Sequence, residues 1–183
     1  MIQFLPGARP LPQSLAAHLY TRILMLLPAR ETPVSARSAA LAEHALCTYG
    51  QSVLRLAYSY LRNQSDAEDI LQETLVRLLR SAPEFETQEH EKAWLLHVAA
   101  NLSKNRLRYN RLRRTDPLEE TLIAQERPDL AFVWEAVSAL PVRWREVLHL
   151  FYQEEYSTAQ IARILSRKES TVRSDLHRAR IRL

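Results

Sequence analysis

Three features of the 183-residue sequence predict an all-α fold of two small helical domains joined by a linker. Glycine occurs only twice against nine prolines. Apolar residues recur at three- and four-residue intervals and rarely alternate, which is the helical period. The prolines and the basic clusters divide the chain into modules. At roughly 100 to 200 residues per domain the length admits one ordinary domain or two small ones, and the punctuation favours two.

The first 38 residues contain Pro6, Pro10, Pro12, Pro28 and Pro33, so a mostly irregular extension of unassigned role is expected, with a short helix from Leu15 to Leu27 between two of them. Its apolar run, Ile23 to Leu27, is far below the ~20 residues that span a bilayer. His18 and Arg22 nearby, without a small-residue cleavage site, argue against a secretory signal. No membrane insertion and a cytoplasmic location are therefore expected.

The first domain is expected over 39–114. Leu46, Tyr49, Val53, Leu56, Ala57, Tyr60 and Leu61 line one face of a core helix beginning near Ala39. Ser65 and Glu68 have capping-box spacing, in which each side chain satisfies a free amide of the other residue, and they predict the start of a second helix carrying Ile70, Leu71, Leu75, Leu78 and Leu79. Pro83 ends it. A polar, acidic loop from Ser81 to about Glu91 leads into a third helix, Lys92 to Arg108, with Trp94, Leu95, Val98, Ala99, Leu102 and Leu107 as its apolar stripe. Trp94 is read as a core residue behind the exposed face.

A linker is expected over 115–128, bounded by Pro117 and Pro128, and a second domain over 129–183. Its helical segments are predicted at Leu130 to Ala139, Val142 to Gln153, Thr158 to Leu165 and Glu169 to Leu183. Ser157 and Gln160 form a further capping box. The short turn from Ser166 to Lys168 joins the last two segments into a helix-turn-helix.

The formal net charge of +4, from 25 Lys and Arg against 21 Asp and Glu, is too small to require a polyanionic partner. Its distribution is more informative. Six of the eleven residues from Lys104 to Arg114 are basic, and seven more basic residues lie from Arg163 to Arg182. The single cysteine, Cys47, excludes an intrachain disulfide and suits a reducing compartment. Cys47 and His44 supply two of the roughly four ligands a structural zinc needs, so neither metal nor cofactor is expected.

In a helix-turn-helix the second helix enters the major groove, so it needs apolar residues inside and polar donors outside. Ile161, Ala162, Leu165, Val172, Leu176 and Ala179 suit the inside. Lys168, Ser170, Thr171, Arg173, Ser174, His177 and Arg178 are the candidate DNA contacts, since Arg reads guanine edges and Ser, His and Lys bind phosphates. In the first domain Asn101, Lys104, Asn105 and Arg108 recur at three- and four-residue steps and share one helix face, a second candidate nucleic-acid surface. Asp66, Glu68 and Asp69 are capable of holding Mg²⁺, but they sit at a helix start with no accompanying catalytic constellation, so an enzyme is not expected.

The strings Leu140-Pro141, Arg145-Glu146-Val147, Ser157-Thr158-Ala159-Gln160-Ile161-Ala162 and TVRSDLHRAR from Thr171 to Arg180 resemble region 4 of bacterial sigma factors. The upstream block DAEDILQET from Asp66 to Thr74, with Lys92-Ala93-Trp94-Leu95 and Ala99-Ala100-Asn101-Leu102, resembles region 2. The two occur in family order, and the short linker between them places the resemblance with the extracytoplasmic-function (ECF) group. The resemblance covers about 39–183 and implies a transcription initiation factor that binds core RNA polymerase and directs it to a two-element promoter. It implies that Asp66, Asp69, Gln72, Glu73 and Arg77 meet the β′ clamp helices and that the second domain meets the β flap. The helix-turn-helix would read the upstream element of promoter DNA. The loop after Pro83, with Asn101, Lys104, Asn105 and Arg108, would open and hold the downstream one. An anti-sigma factor is the expected inhibitory partner. The acidic linker residues Asp116, Glu119, Glu120 and Glu126 would imitate nucleic acid in the polymerase channel.

The match has departures. Gln160 stands where the family usually has Glu, Ser170 where Gly is usual, and Asp175 where a basic residue is common, so no promoter sequence is carried over. Arg167 and Lys168 occupy the turn and are expected to add phosphate contacts. A self-sufficient helix-turn-helix regulator with an N-terminal sensor is the competing reading; the DAEDILQET block has no use in it.

Overall fold

The computed structural model describes residue 21, residues 35–113, 136–137 and 139–183. The predicted helix at Leu15 to Leu27, the linker, and most of the segment from Leu130 to Ala139 lie outside the described residues. Among the described residues all regular structure is helical.

Helix α1, Ala36–Leu61, starts three residues before the predicted domain boundary. Ser35 is the reason, because its Oγ accepts the Ser38 amide at 3.1 Å and satisfies one of the first-turn donors. Arg62, in the left-handed region at φ 55°, ends the helix. Helix α2, Gln64–Ser81, is capped by Asn63, whose Oδ1 accepts from the Asp66 amide at 2.9 Å. The expected Ser65–Glu68 box therefore does not form. Asn63 is an equally strong cap two residues earlier, which leaves Ser65 inside the first turn, and Glu68 accepts from Gln64 at 2.8 Å. Helix α3, Gln88–Arg113, begins four residues before the predicted start and runs five beyond the predicted end. Thr87 accounts for the early start by accepting the His90 amide at 3.1 Å.

These three helices enclose one core. Leu46, Leu56, Ile70, Leu71, Leu75, Leu78, Leu95 and Leu96 are almost fully buried in it, each contributing about 1.5–3 kcal/mol of transfer free energy. Trp94 packs half-buried against this core with its ring 5.9 Å from that of Phe85, as expected for a residue behind the exposed face.

In the C-terminal unit the segment from Val142 to Gln153 is two conformations. Helix α4 is Val142–Leu148, and a π turn, His149–Gln153, continues it. The turn closes with the Glu154 amide donating to the His149 carbonyl at 3.2 Å. Helix α5, Thr158–Leu165, has the predicted Ser157–Gln160 box in full. Ser166, at φ 52°, turns the chain, and the Arg167 amide returns to the Ala162 carbonyl at 2.9 Å, which satisfies one of the orphan carbonyls at the helix end. Helix α6, Glu169–Arg182, follows. Thr158 Oγ1 donates to Glu169 at 2.8 Å and ties the starts of α5 and α6 together.

Val147, Leu150, Ile161, Val172 and Ala179 form the core of this unit at essentially zero exposure. The two units touch: α1 packs on α4, and α3 packs on α5.

Candidate nucleic-acid interface

The exposed side of α6 is set by its buried one. Val172, Asp175, Leu176 and Ala179 face inward, so three- and four-residue periodicity turns Ser170, Arg173, Ser174, His177 and Arg178 to solvent, and all five are exposed. Lys168, the residue before the helix, is exposed too, while Thr171 is half-buried. Arg173 lies 3.6 Å from Glu169 on the preceding turn, a solvent-exposed pair worth a few tenths of a kcal/mol at most. The guanidinium is thus readily given up to a phosphate or a guanine. The Ser174 hydroxyl donates to the Ser170 carbonyl at 2.9 Å.

Two departures from the family pattern find their explanation in the core. Asp175 does not face the groove side at all: its carboxylate is 1 % exposed, 2.5 Å from Arg143 and 3.6 Å from Arg167. Arg167, expected to add phosphate contacts from the turn, is turned inward. It is three-quarters buried, ion-paired with Glu146 as well as Asp175, and acts as a brace between α4 and α6. The two unusual residues compensate each other, a pairing of positions eight apart that no helical periodicity announces.

On α3, Asn101, Asn105 and Arg108 are exposed and one face carries them, with Arg108 3.5 Å from Asn105. Lys104 is turned away towards the C-terminal unit, with Nζ 3.4 Å from the buried Glu146. Asn101 also connects to that unit, through His97. The Ile164 carbonyl can only accept, so the His97 Nδ1 at 2.6 Å is assigned the proton, and Nε2 accepts from Asn101 Nδ2 at 2.9 Å.

The loop after Pro83 borders an open groove of about 650 Å³ against the start of α1, with Arg37, Ser38, Phe85, Thr87 and Gln88 in its walls. Sequence reasoning missed the α1 side of this groove, since nothing in the local pattern pairs Arg37 with a loop residue 47 positions later; the contact visible is Arg37 to Glu84 at 3.3 Å.

The α2 candidates separate. Glu73 and Arg77 are exposed and paired with each other at 3.1 Å, and Asp69 is partly exposed. Asp66 is held to α3 by Arg106 at 2.7 Å and Asn110 at 3.3 Å. Gln72 is not on the exposed face: it is 3 % exposed, because position 72 falls between Leu71 and Leu75 on the core side. Among the described residues no group of three or more His, Cys, Asp or Glu is arranged to hold a metal, and no helix is long and apolar enough to cross a membrane.

Electrostatics concentrate at the contact of the two units. Glu154 has Lys92 at 2.7 Å, His149 at 3.6 Å and Arg55 at 3.8 Å. Burial pushes its pKa up, but His149 and Lys92 outweigh that and bring it down to about 2. Glu146 accepts the Tyr60 hydroxyl and ion-pairs with Arg167 and Lys104. Burial and the neighbouring carboxylate hold the Tyr60 hydroxyl well above its ordinary pKa, so it remains a donor.

Comparison with known proteins agrees with this division. Residues 47–113 match the family model Sigma-70 region 2, and residues 133–183 match Sigma-70, region 4. The chain is 33 % identical over 148 residues to the ECF RNA polymerase sigma factor SigE of Mycolicibacterium smegmatis, covering 74 % of this chain and 57 % of that protein. It is 32 % identical over 164 residues to the ECF RNA polymerase sigma factor SigL of Mycobacterium tuberculosis, covering 82 % of this chain and 91 % of that one. The fold resembles that of the sigma factor RpoE from Bartonella quintana, solved in complex with the anti-sigma factor NepR, with a TM-score of 0.64 at 23 % identity over 78 % of this chain and 93 % of that one. With both regions present in order and relatives of this similarity, the chain belongs to the ECF group of the sigma-70 family of RNA polymerase sigma factors.

Proposed function

We propose that the chain binds core RNA polymerase in the cytoplasm, directs it to a two-element promoter and assists strand opening, catalysing no bond change itself. The observation that carries this reading is the pair of matched regions in one chain, each presenting basic side chains on an exposed helix face, with amides beside them on α3 and hydroxyls on α6.

In this reading α6 lies in the major groove of the upstream element, with Arg173 and Arg178 reading bases and Lys168, Ser170, Thr171, Ser174 and His177 fixing register on phosphates. Asn101, Lys104, Asn105 and Arg108 hold the downstream element as it opens, where a basic surface tracks the separated backbone. Asp69, Glu73 and Arg77 meet the β′ clamp helices, with Asp66 tying α2 to α3 beneath them, and the C-terminal unit meets the β flap. The functional units are 39–114 and 129–183, joined by a linker at 115–128 that passes through the polymerase, with 1–38 as an extension. An anti-sigma factor is the inhibitory partner.

The test is transcription in vitro from a library of promoter fragments with sigma-free core polymerase, followed by sequencing of the transcript starts. Discrete starts that vanish on changing Arg173 and Arg178 together to Ala are the expected result. A chain that gives no specific starts and does not bind core, yet binds duplex DNA alone, is a self-sufficient regulator instead.

A further inference from the structure

The exposed face of α6 extends beyond the residues assigned to DNA above. Ser170, Arg173, His177 and Arg180 follow one another at three-, four- and three-residue steps and are all exposed, so they form a single row along the helix. Arg180 stands about 10 Å along the axis from Arg173, past the N-terminal part of the helix that a helix-turn-helix inserts into the major groove.

The guanidinium of Arg180 lies 5.2 Å from the ring centroid of Phe151 and 5.5 Å from that of Tyr152. The two rings meet edge-on with centroids 5.0 Å apart. Both belong to the π turn His149–Gln153 that continues α4, and both are half-buried. The turn thus brings two consecutive rings against one guanidinium, and π turns are frequent at functional sites. Ring faces attract a cation and restrict its orientation, but they supply no net negative charge. Arg173, Arg143 and Arg167 each meet a carboxylate. Among the described residues Arg180 meets none. An exposed guanidinium that is oriented but not neutralised is ready to receive anionic oxygens, and its fork of donors suits a phosphate.

We propose that Arg180, braced by Phe151 and Tyr152, clamps a backbone phosphate of the upstream promoter duplex at the rim of the groove that α6 enters. Arg180 makes the contact, and the two rings are positioning residues that act through it. The clamp carries no sequence information; it fixes the register in which Arg173 and Arg178 meet the bases. It rests on the proposed function of α6.

The test titrates the full chain, assembled with core RNA polymerase, against duplex DNA by fluorescence anisotropy over a series of salt concentrations. One duplex is a promoter fragment recovered from the transcript-start experiment, and the other is a scrambled sequence of the same length. Loss of one phosphate contact lowers the slope of log affinity against log salt by about 0.9, an affinity loss of about eightfold at 0.1 M salt relative to 1 M. Arg180→Ala is expected to show this loss on both duplexes alike. Arg180→Lys keeps the charge without the fork and is expected to retain the slope. Phe151→Leu with Tyr152→Leu keeps the arginine and removes its brace, so affinity should fall by about two- to fivefold, the worth of an exposed cation–π contact. Adding Arg180→Ala to that variant should then cost less than it costs alone. Far-UV circular dichroism checks that the helices remain; if the paired ring changes unfold the C-terminal unit, Tyr152→Leu alone is read in the same way. Unchanged affinity and slope in Arg180→Ala overturn the clamp and leave the guanidinium to an acidic protein partner, and fully additive ring and arginine effects overturn the positioning role. Arg173→Ala with Arg178→Ala separates the two readings. If that pair abolishes the preference for the promoter while Arg180→Ala changes nothing, the functional reading stands and the clamp falls. If the pair leaves the preference intact while Arg180→Ala lowers the slope, base reading by α6 falls and the phosphate contact stands.

Discussion

Replacing Asp175 by Lys restores the kind of residue common at this position in the family, and on sequence grounds it should strengthen DNA binding. The structure predicts the opposite. Asp175 is buried against Arg143 at 2.5 Å and Arg167 at 3.6 Å, so an ammonium there meets two guanidiniums in place of a counter-ion. Removing one partner of a fully buried pair costs about 3–5 kcal/mol. For Asp175→Ala the loss is smaller, because the Arg143 side chain is 52 % exposed and rehydrates, and Arg167 keeps Glu146; about 2 kcal/mol is expected. At about 2–4 °C per kcal/mol for a chain of this size, that lowers Tm by about 4–8 °C. Asp175→Lys adds like-charge repulsion and should exceed about 4 kcal/mol, a large part of the ~5–15 kcal/mol that holds a typical protein folded. Thermal unfolding followed by circular dichroism and fluorescence-anisotropy titration with duplex promoter DNA are the paired assays. A Lys variant that melts with the parent and binds DNA more tightly would place residue 175 on the groove side and refute the reasoning.

Further outcomes are expected elsewhere in the chain. Ser157→Ala removes the side chain that accepts the Gln160 amide at 3.3 Å and should destabilise the C-terminal unit by about 1 kcal/mol in chemical denaturation, with no effect if α5 is held by packing alone. Gln72→Leu should leave Tm unchanged or slightly raised, since the buried Nε2 has no hydrogen-bond partner among the described residues and an apolar replacement strands none; a clear drop would mean that the amide is satisfied. The pKa of Glu154 falls on folding from its ordinary 4.5 to about 2. The stability it contributes, about 3 kcal/mol at most, is therefore fully present above pH 4.5 and lost as pH falls towards 2. Urea midpoints measured between pH 2 and 6 should follow that slope in the parent and flatten in Glu154→Gln; parallel curves would contradict the pairing with Lys92 and His149.

Helix order and the helix-turn-helix were legible in the sequence because they depend on local spacing. The Ser157–Gln160 box, the limits of α5, and the inward set Val172, Leu176 and Ala179 all follow from three- and four-residue intervals within one helix. The exposed face of α6 is legible for the same reason. Where two caps compete within three residues, as Asn63 and Ser65 do, spacing alone does not choose; the one whose backbone is extended outside the helix does.

Only the tertiary structure decided the fates of charged residues whose partners are remote in sequence. Arg167 looks like a phosphate contact in a linear reading, and Asp175 like a defect in a DNA-reading helix. The two instead meet each other and the oppositely charged Glu146 and Arg143 of α4, and Lys104 on the candidate nucleic-acid face also reaches Glu146, 42 positions away. A charge on a helix surface is free or committed according to what packs above it. The sequence by itself determined which faces exist, and the packing of α4 and α5 on α1 and α3 determined which of their charges remain available to DNA.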